Sequence, residues 1–253
     1  MSRGDKMQRM TLSEQQEMLG DELSFAGAEA YKLLRTNIAM SVAGVDCPII
    51  GVTSALPGEA KSTTAINLAY AMVQDGKRVL LIESDLRLPA VSKRLGIQAQ
   101  PGLTNLLVGM CSGTEALQHC SLHRNLYIIA AGSSTPNPSE LLGSERMEIA
   151  LNTYAKSFDY IILDLPPVTS VSDPLVIAKN CTGMILAVRR GYCRKRVLRE
   201  ALRQLELVHA KVLGFVFTHA EVNRKGYKKY GYGYGYGAAA NNGKQKKAAS
   251  SAK

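Results

Sequence analysis

Two kinds of hydrophobic pattern follow one another along the chain. Short apolar runs, Ile49-Ile50-Gly51-Val52-Thr53, Arg78–Glu83, Leu126–Ala131, Tyr160–Leu163, Met184–Val188 and Gly214–Thr218, read as buried strands. Helical spacing marks about Ala26 to Ser41, a segment from near Lys61 to Asp75-Gly76, Glu140–Ser157, Pro174–Asn180 and Lys195–Val208. Ala30, Leu33, Leu34, Asn37 and Ile38 share a face of the first helix, and Ala65, Leu68, Ala69, Met72 and Val73 a face of the second. The first strand, its loop, its helix and the next strand take up about 35 residues, the size of a parallel crossover. Continuous apolar strands alternating with helices predict an α/β fold with a doubly wound, mostly parallel sheet covered on both faces. The organisation expected is a polar lead-in over 1–22, one domain over 23–221 and a low-complexity tail over 222–253.

Composition narrows this picture. A chain of 253 residues, 46% hydrophobic, can bury one sizeable core. The N-terminus is polar and lacks the apolar region of a secretory signal. The uncharged stretch Leu95–Thr114 carries Gln, Asn, Pro101 and glycines, which argues against a membrane span. Five scattered cysteines without a CxxC pair fit a reducing cytoplasm. His119-Cys120-Ser121-Leu122-His123 reads as a helix end and loop, because no second ligand cluster follows it. The net charge is +10, yet eight basic residues and no acid lie from Asn223 onward, so the body carries only +2. Specific nucleic-acid binding is therefore not expected from charge.

The chemistry begins in the loop after the first strand. Ser54-Ala55-Leu56-Pro57-Gly58-Glu59-Ala60-Lys61-Ser62-Thr63 joins that strand to its helix. A tight loop there turns successive N–H groups toward an anion, and the helix N-terminus adds its positive end. Pro57 to Thr63 are the expected ATP-binding residues, with Lys61 reaching the β- and γ-phosphates and the Ser62 hydroxyl ligating Mg2+. Ala60 stands where such loops ordinarily have Gly. The substitution is costly if the position needs a positive φ, and nearly silent otherwise.

Two further strands end in acids: Glu83-Ser84-Asp85-Leu86-Arg87 follows one, and Asp164-Leu165-Pro166-Pro167 ends another. The carboxyl ends of parallel strands form the ligand crevice of open α/β sheets. Phosphoryl transfer needs a metal ligated there and a group that orients the attacking hydroxyl. Lys61, Glu83, Asp85 and Asp164 are the candidate catalytic residues, Ser62, Asp85 and Asp164 the candidate metal ligands. Arg87 is read either as a further ATP contact or as the structural partner of an acid.

On these motifs the chain resembles the bacterial tyrosine kinases of capsule and exopolysaccharide synthesis, in their stand-alone form, from about Ala28 to the tail. The phosphate loop has the family's Ser-x-x-Pro-Gly-Glu-x-Lys-Ser-Thr form, and Glu83–Arg87 its acid-x-Asp-x-Arg pattern. Glu29-Ala30-Tyr31-Lys32-Leu33-Leu34-Arg35-Thr36-Asn37 is similar to its subunit-contact helix, and Pro136–Leu142 to another family segment. Glu83 replaces the family's Asp, the candidate for orienting the tyrosine. Lys32 replaces an Arg, and Leu165 a hydroxyl residue. The resemblance implies a kinase domain over 23–221 using ATP and Mg2+, and a homo-oligomer held through Glu29, Lys32 and Arg35. It also implies phosphoryl transfer in trans, and activation by a membrane protein that recruits the kinase from the cytoplasm to the inner face of the plasma membrane.

The tail supplies the acceptors. Tyr227, Tyr230, Tyr232, Tyr234 and Tyr236 lie within ten residues, spaced by Gly and Lys, in a segment that reads as disordered. Ten residues reach about 35 Å at full extension, enough for a neighbour's site as readily as the chain's own. Five phosphotyrosines would add roughly −8 to −10 charges and cancel the tail's cations. An anionic surface, either a neighbouring site or lipid, is the expected contact of the unmodified tail. Two other readings stand beside the kinase: a positioning or partition ATPase of the same fold, and a nucleotide-binding scaffold with weakened catalysis. Leu56 stands where the positioning ATPases carry an additional lysine, while Ala60 and Glu83 motivate the scaffold.

Overall fold

The computed structural model describes residues 19–220. The tail with its five tyrosines, and most of the polar lead-in, lie outside the described residues. Strands run at β1 Ile49–Ser54, β2 Val79–Glu83, β3 Leu117–His119, β4 Leu126–Ile129, β5 Tyr160–Asp164, β6 Gly183–Arg189 and β7 Val212–Thr218. Helices are α1 Phe25–Ser41, α2 Lys61–Val73, α3 Val91–Leu95, α4 Leu103–Leu107, α5 Gly113–Ala116, α6 Pro138–Leu142, α7 Glu145–Ala155, α8 Asp173–Ile177 and α9 Lys195–Leu207.

The sheet order is β3-β4-β2-β5-β1-β6-β7, parallel throughout except for β3 against β4. Two apolar clusters fill its two faces. On one, Ile38 and Val42, the inward side of α2 and Val91 pack on Ile50, Val52, Val79 and Leu81. On the other, α4, α6, α7, α8 and α9 cover Leu80, Ile82, Leu163, Leu186 and Val188. Both faces of the central strands are therefore dry, which is why β1 and β2 read as unbroken apolar runs. The expected doubly wound sheet is the one observed.

Local chemistry explains where the elements depart from their expected bounds. One helix was expected over 140–157, but Gly143 and Ser144 break it. The Ser144 hydroxyl accepts from Met147 N–H at 3.3 Å and donates to Leu141 O at 2.7 Å, ending α6 and capping α7 in one residue. The expected helix at 174–180 stops at Ile177 and tightens into a 3-10 turn over Ala178–Asn180. His119 closes the antiparallel strand β3 rather than a helix, and three residues are too few for alternation to show. His119 Nε2 meets Arg124 O at 2.8 Å, and among the described residues no group of three or more His, Cys, Asp or Glu side chains is placed to hold a metal. The lead-in is docked earlier than its expected limit at 22: Gly20 N–H donates to Asn67 Oδ1 at 3.0 Å, and Asp21 accepts from the Tyr70 hydroxyl on α2. No helix of the described residues is long and apolar enough to cross a membrane.

Candidate active site

The site lies where the central strands end. Register pairs Val52 of β1 with Asp164 of β5, and Asp164 with Glu83 of β2. Asp164 therefore sits between the phosphate loop leaving β1 and the acidic loop leaving β2. Lys61, the first residue of α2, turns inward: its Nζ lies 2.7 Å from Asp85 Oδ2, 3.4 Å from Ser62 Oγ and 3.9 Å from Asp164 Oδ1. Asp85 is fixed in turn, because its Oδ1 accepts from Leu88 N–H at 3.0 Å. Lys61 and Ser62 of the phosphate loop, Asp85 of the acidic loop and Asp164 of β5 form one cluster.

Its electrostatics are unbalanced. Asp164 is fully buried and neither oxygen has a hydrogen-bond partner. Burial pushes its carboxyl up to about 6, only partly offset by Lys61 and the adjacent Ser62 hydroxyl, while Asp85 and Glu83 add to the rise. Burial works against the Lys61 ammonium, but Asp164 and then Asp85 outweigh it and hold its pKa above the ordinary value. Unsatisfied carboxylate oxygens beside a hydroxyl and a second carboxylate are an all-oxygen donor set of the kind a hard divalent cation takes. Asp164, Ser62 and Asp85 thus fit Mg2+.

The phosphate loop bends through two left-handed residues. Gly58 has φ 77°, which glycine adopts freely. Ala60 has φ 62° and ψ 32°, so the position does need a positive φ, and an L-residue there carries strain. The expected ATP contacts divide. Pro57, Gly58, Ala60 and Lys61 form the bend, and the Thr63 hydroxyl accepts from Arg94 at 3.0 Å. The Glu59 side chain does not face the anion pocket. It is fully buried, accepting from Leu56 N–H at 2.7 Å and Arg189 N–H at 3.1 Å, while its carbonyl accepts from the Thr218 hydroxyl at 3.1 Å.

One other assignment is corrected, and one open reading is resolved. Glu83, expected to orient the tyrosine, is fully buried with its carboxylate spent on backbone donors: Val91 and Ser92 at the start of α3, and Ala131 after β4 at 3.1 Å. It is a positioning residue that pins α3 and the β4 exit to β2. Arg87, read either as an ATP contact or as the structural partner of an acid, takes the second part: it grips Asp173, with Nε to Oδ2 at 2.9 Å and Nη2 to Oδ1 at 3.0 Å. Asp173 is fully buried and also accepts from the Ser139 hydroxyl at 2.5 Å, so the acidic loop is tied to α6 and α8. Sequence reasoning missed Asp173, since Ser-Asp-Pro reads simply as a helix start. On α1, Lys32 pairs with Glu29 at 2.8 Å, and Arg35 donates to Ala71 O at 3.0 Å and lies 3.5 Å from Asp75. Phe25, Leu33 and Met40 stay exposed on that helix.

Three outcomes follow from this geometry. Ala60→Gly relieves the left-handed strain and raises stability by about 1 kcal/mol, read as a melting temperature higher by roughly 2–4 °C. Glu83→Gln puts an amide among backbone donors and lowers stability by about 1–3 kcal/mol in urea denaturation; an unchanged midpoint would restore a purely catalytic role. Asp164→Asn removes a buried charge. The folded pKa lies above the unfolded one, so the wild-type penalty is full above pH 6 and vanishes below about pH 4. The variant is therefore more stable by roughly 3 kcal/mol at pH 7.5, and the gap closes as pH falls through that window in parallel unfolding titrations.

Comparison with known proteins identifies the family. A family model described as AAA domain matches residues 47–189. The tyrosine-protein kinase YwqD of Bacillus subtilis is 32% identical over 223 residues, covering 88% of this chain and 91% of that protein. The tyrosine-protein kinase CpsD of Streptococcus pneumoniae serotype 4 is 37% identical over 206 residues, covering 79% of this chain and 87% of that protein. Among solved structures, the kinase domain of the Escherichia coli tyrosine kinase ETK superposes with a TM-score of 0.75 at 26% identity, over 93% of this chain and 92% of that one. With the phosphate loop, its inward lysine and the two strand-end aspartates in place, the chain belongs to the bacterial tyrosine-protein kinase family.

Proposed function

We propose that this protein transfers the γ-phosphoryl group of ATP to tyrosine, and that its acceptors are Tyr227, Tyr230, Tyr232, Tyr234 and Tyr236 of a neighbouring copy. The observation that carries the reading is the strand-end cluster: an inward lysine, a hydroxyl and two aspartates, one with a buried carboxylate that no donor satisfies.

Each residue has a task. The loop N–H groups from Gly58 to Ser62 bind the phosphates at the start of α2. Lys61 leaves Asp85 to neutralise charge on the β- and γ-phosphates, which frees Asp85 Oδ2 beside the transferred group. Asp164, Ser62 and Asp85 hold Mg2+, which neutralises charge at the transferred group. Glu83 and Arg87 do not touch the nucleotide; they fix the two sides of the acidic loop so that Asp85 faces Lys61. The reach of the tail allows transfer between copies, through a homo-oligomer that uses the Glu29, Lys32 and Arg35 face of α1. A membrane protein of capsule or exopolysaccharide synthesis is the activator that this type of chain requires, and it brings the kinase to the inner face of the membrane.

Mass spectrometry of the tail after incubation with Mg-ATP tests the reading, with and without the cytoplasmic segment of a candidate activator. Phosphate on Tyr227–Tyr236 that disappears in Lys61→Met is the expected result. Nucleotide binding with no tail phosphate, activator included, would leave the scaffold as the better reading.

A further inference from the structure

Charge is strongly segregated in the described domain. Residues 19–188 carry fifteen carboxylates against twelve lysines and arginines, whereas residues 189–211 carry eight lysines and arginines against two carboxylates. The basic segment is the end of β6, the turn after it, α9 and the approach to β7. Arg190, Arg194, Lys195, Arg196, Arg199 and Arg203 are all exposed. Among the described residues, none of them forms an ion pair of the kind Arg87 and Lys61 make. Ala201 and Leu205 anchor α9 to the sheet, so Arg199 and Arg203 project from its outward side.

Apolar groups stand on the same face. β7 is the last strand of the sheet. Its Phe215 and Phe217 pair with Leu186 and Val188, the very residues α9 packs against, so both rings lie on the α9 side of the sheet. They are not covered: Phe215 is 42% exposed and Phe217 64%. Leu207, at the end of α9, is 70% exposed, and Tyr192 lies under the Arg189 guanidinium at 5.2 Å. The two features meet at the top of the sheet, where Arg190 N–H donates to Thr218 O at 3.1 Å, one residue from Phe217.

Cations alone would suit any polyanion. Exposed phenylalanines on a cationic face favour a surface that is charged outside and apolar beneath, because aromatic rings gain by entering the headgroup–acyl boundary while arginines stay at the phosphates. We propose that the α9–β7 corner is a membrane-docking face, which seats the domain directly on anionic lipid with Phe215 and Phe217 in the interface. The acidic remainder of the domain is repelled by the same surface, so the charge asymmetry also sets orientation. The contact needs no nucleotide and no activator, and it stands or falls separately from the phosphotransfer reading.

Co-sedimentation of the full chain with vesicles tests it, without ATP and at near-physiological salt. The protein is expected to partition onto phosphatidylglycerol–phosphatidylcholine vesicles and not onto phosphatidylcholine alone. The double variants Phe215→Ser/Phe217→Ser and Arg199→Glu/Arg203→Glu each lower partition about tenfold, with unchanged melting temperature and unchanged tail phosphorylation. The tail is identical in all of these proteins, so partition that both double variants retain would assign the contact to the tail and overturn the proposal. Binding to duplex DNA that survives the phenylalanine variant, with no vesicle binding, overturns it in favour of nucleic acid. A change of oligomeric state in the phenylalanine variant without vesicles overturns it in favour of a second copy.

Discussion

Asp164 is a charge held where the fold cannot satisfy it. It ends the strand at the middle of the sheet, between β1 and β2, and both faces around it are dry. A buried carboxylate without donors costs several kcal/mol unless a cation is near, and Lys61 at 3.9 Å offsets only part of this. The neighbouring groups can be understood from that imbalance. Lys61 is drawn inward by Asp164 and held by Asp85, and Asp85 is held by the backbone of Leu88. Stability is given up at one point so that three oxygen donors face a common space before any ligand arrives.

The supporting residues are also charged, and their job is to leave the cluster undisturbed. Glu83 is a second buried acid beside Asp164, yet three backbone N–H groups satisfy it, so it serves as a structural pin. Arg87 and Asp173 form a two-pronged pair that joins the acidic loop to the opposite cluster of helices. The loop carrying Asp85 is thus clamped on both sides by ion and hydrogen-bond chemistry. Its reach toward the nucleotide is limited to one side chain.

Much of this was legible in the sequence for a simple reason. Continuous apolar strands, a loop opening a helix and acids at strand ends are local patterns, and they placed Lys61, Ser62, Asp85 and Asp164 together before any coordinates. What was not legible depends on partners far along the chain. Arg87 and Asp173 are 86 residues apart, and Glu59 and Arg189 are 130 apart. A motif shows that an acid or arginine is present, but not which way it turns. Motif position assigns Glu59 to the nucleotide and Glu83 to the tyrosine and leaves Arg87 open between ATP and an acid, whereas all three side chains meet groups that tertiary folding brings to them. The split of α6 from α7 was hidden differently: Ser144 is an ordinary polar residue until its hydroxyl caps a helix.

Glu59 and Ala60 are best understood together. An alanine in left-handed backbone is unfavourable alone, and such a residue persists where its surroundings over-determine it. Glu59 supplies that constraint. Its carboxylate binds the start of the loop at Leu56 and the end of β6 at Arg189, and its carbonyl binds Thr218 at the end of β7. Three attachments on the residue preceding Ala60 leave the loop little freedom to relax into a right-handed turn. The carboxylate of the acid in the phosphate loop is therefore engaged by backbone donors. It holds the bend in which Ala60 is strained, and it ties that bend to the ends of β6 and β7. A change at Thr218 or Arg189 would reach the phosphate loop through this one residue, without touching nucleotide or metal.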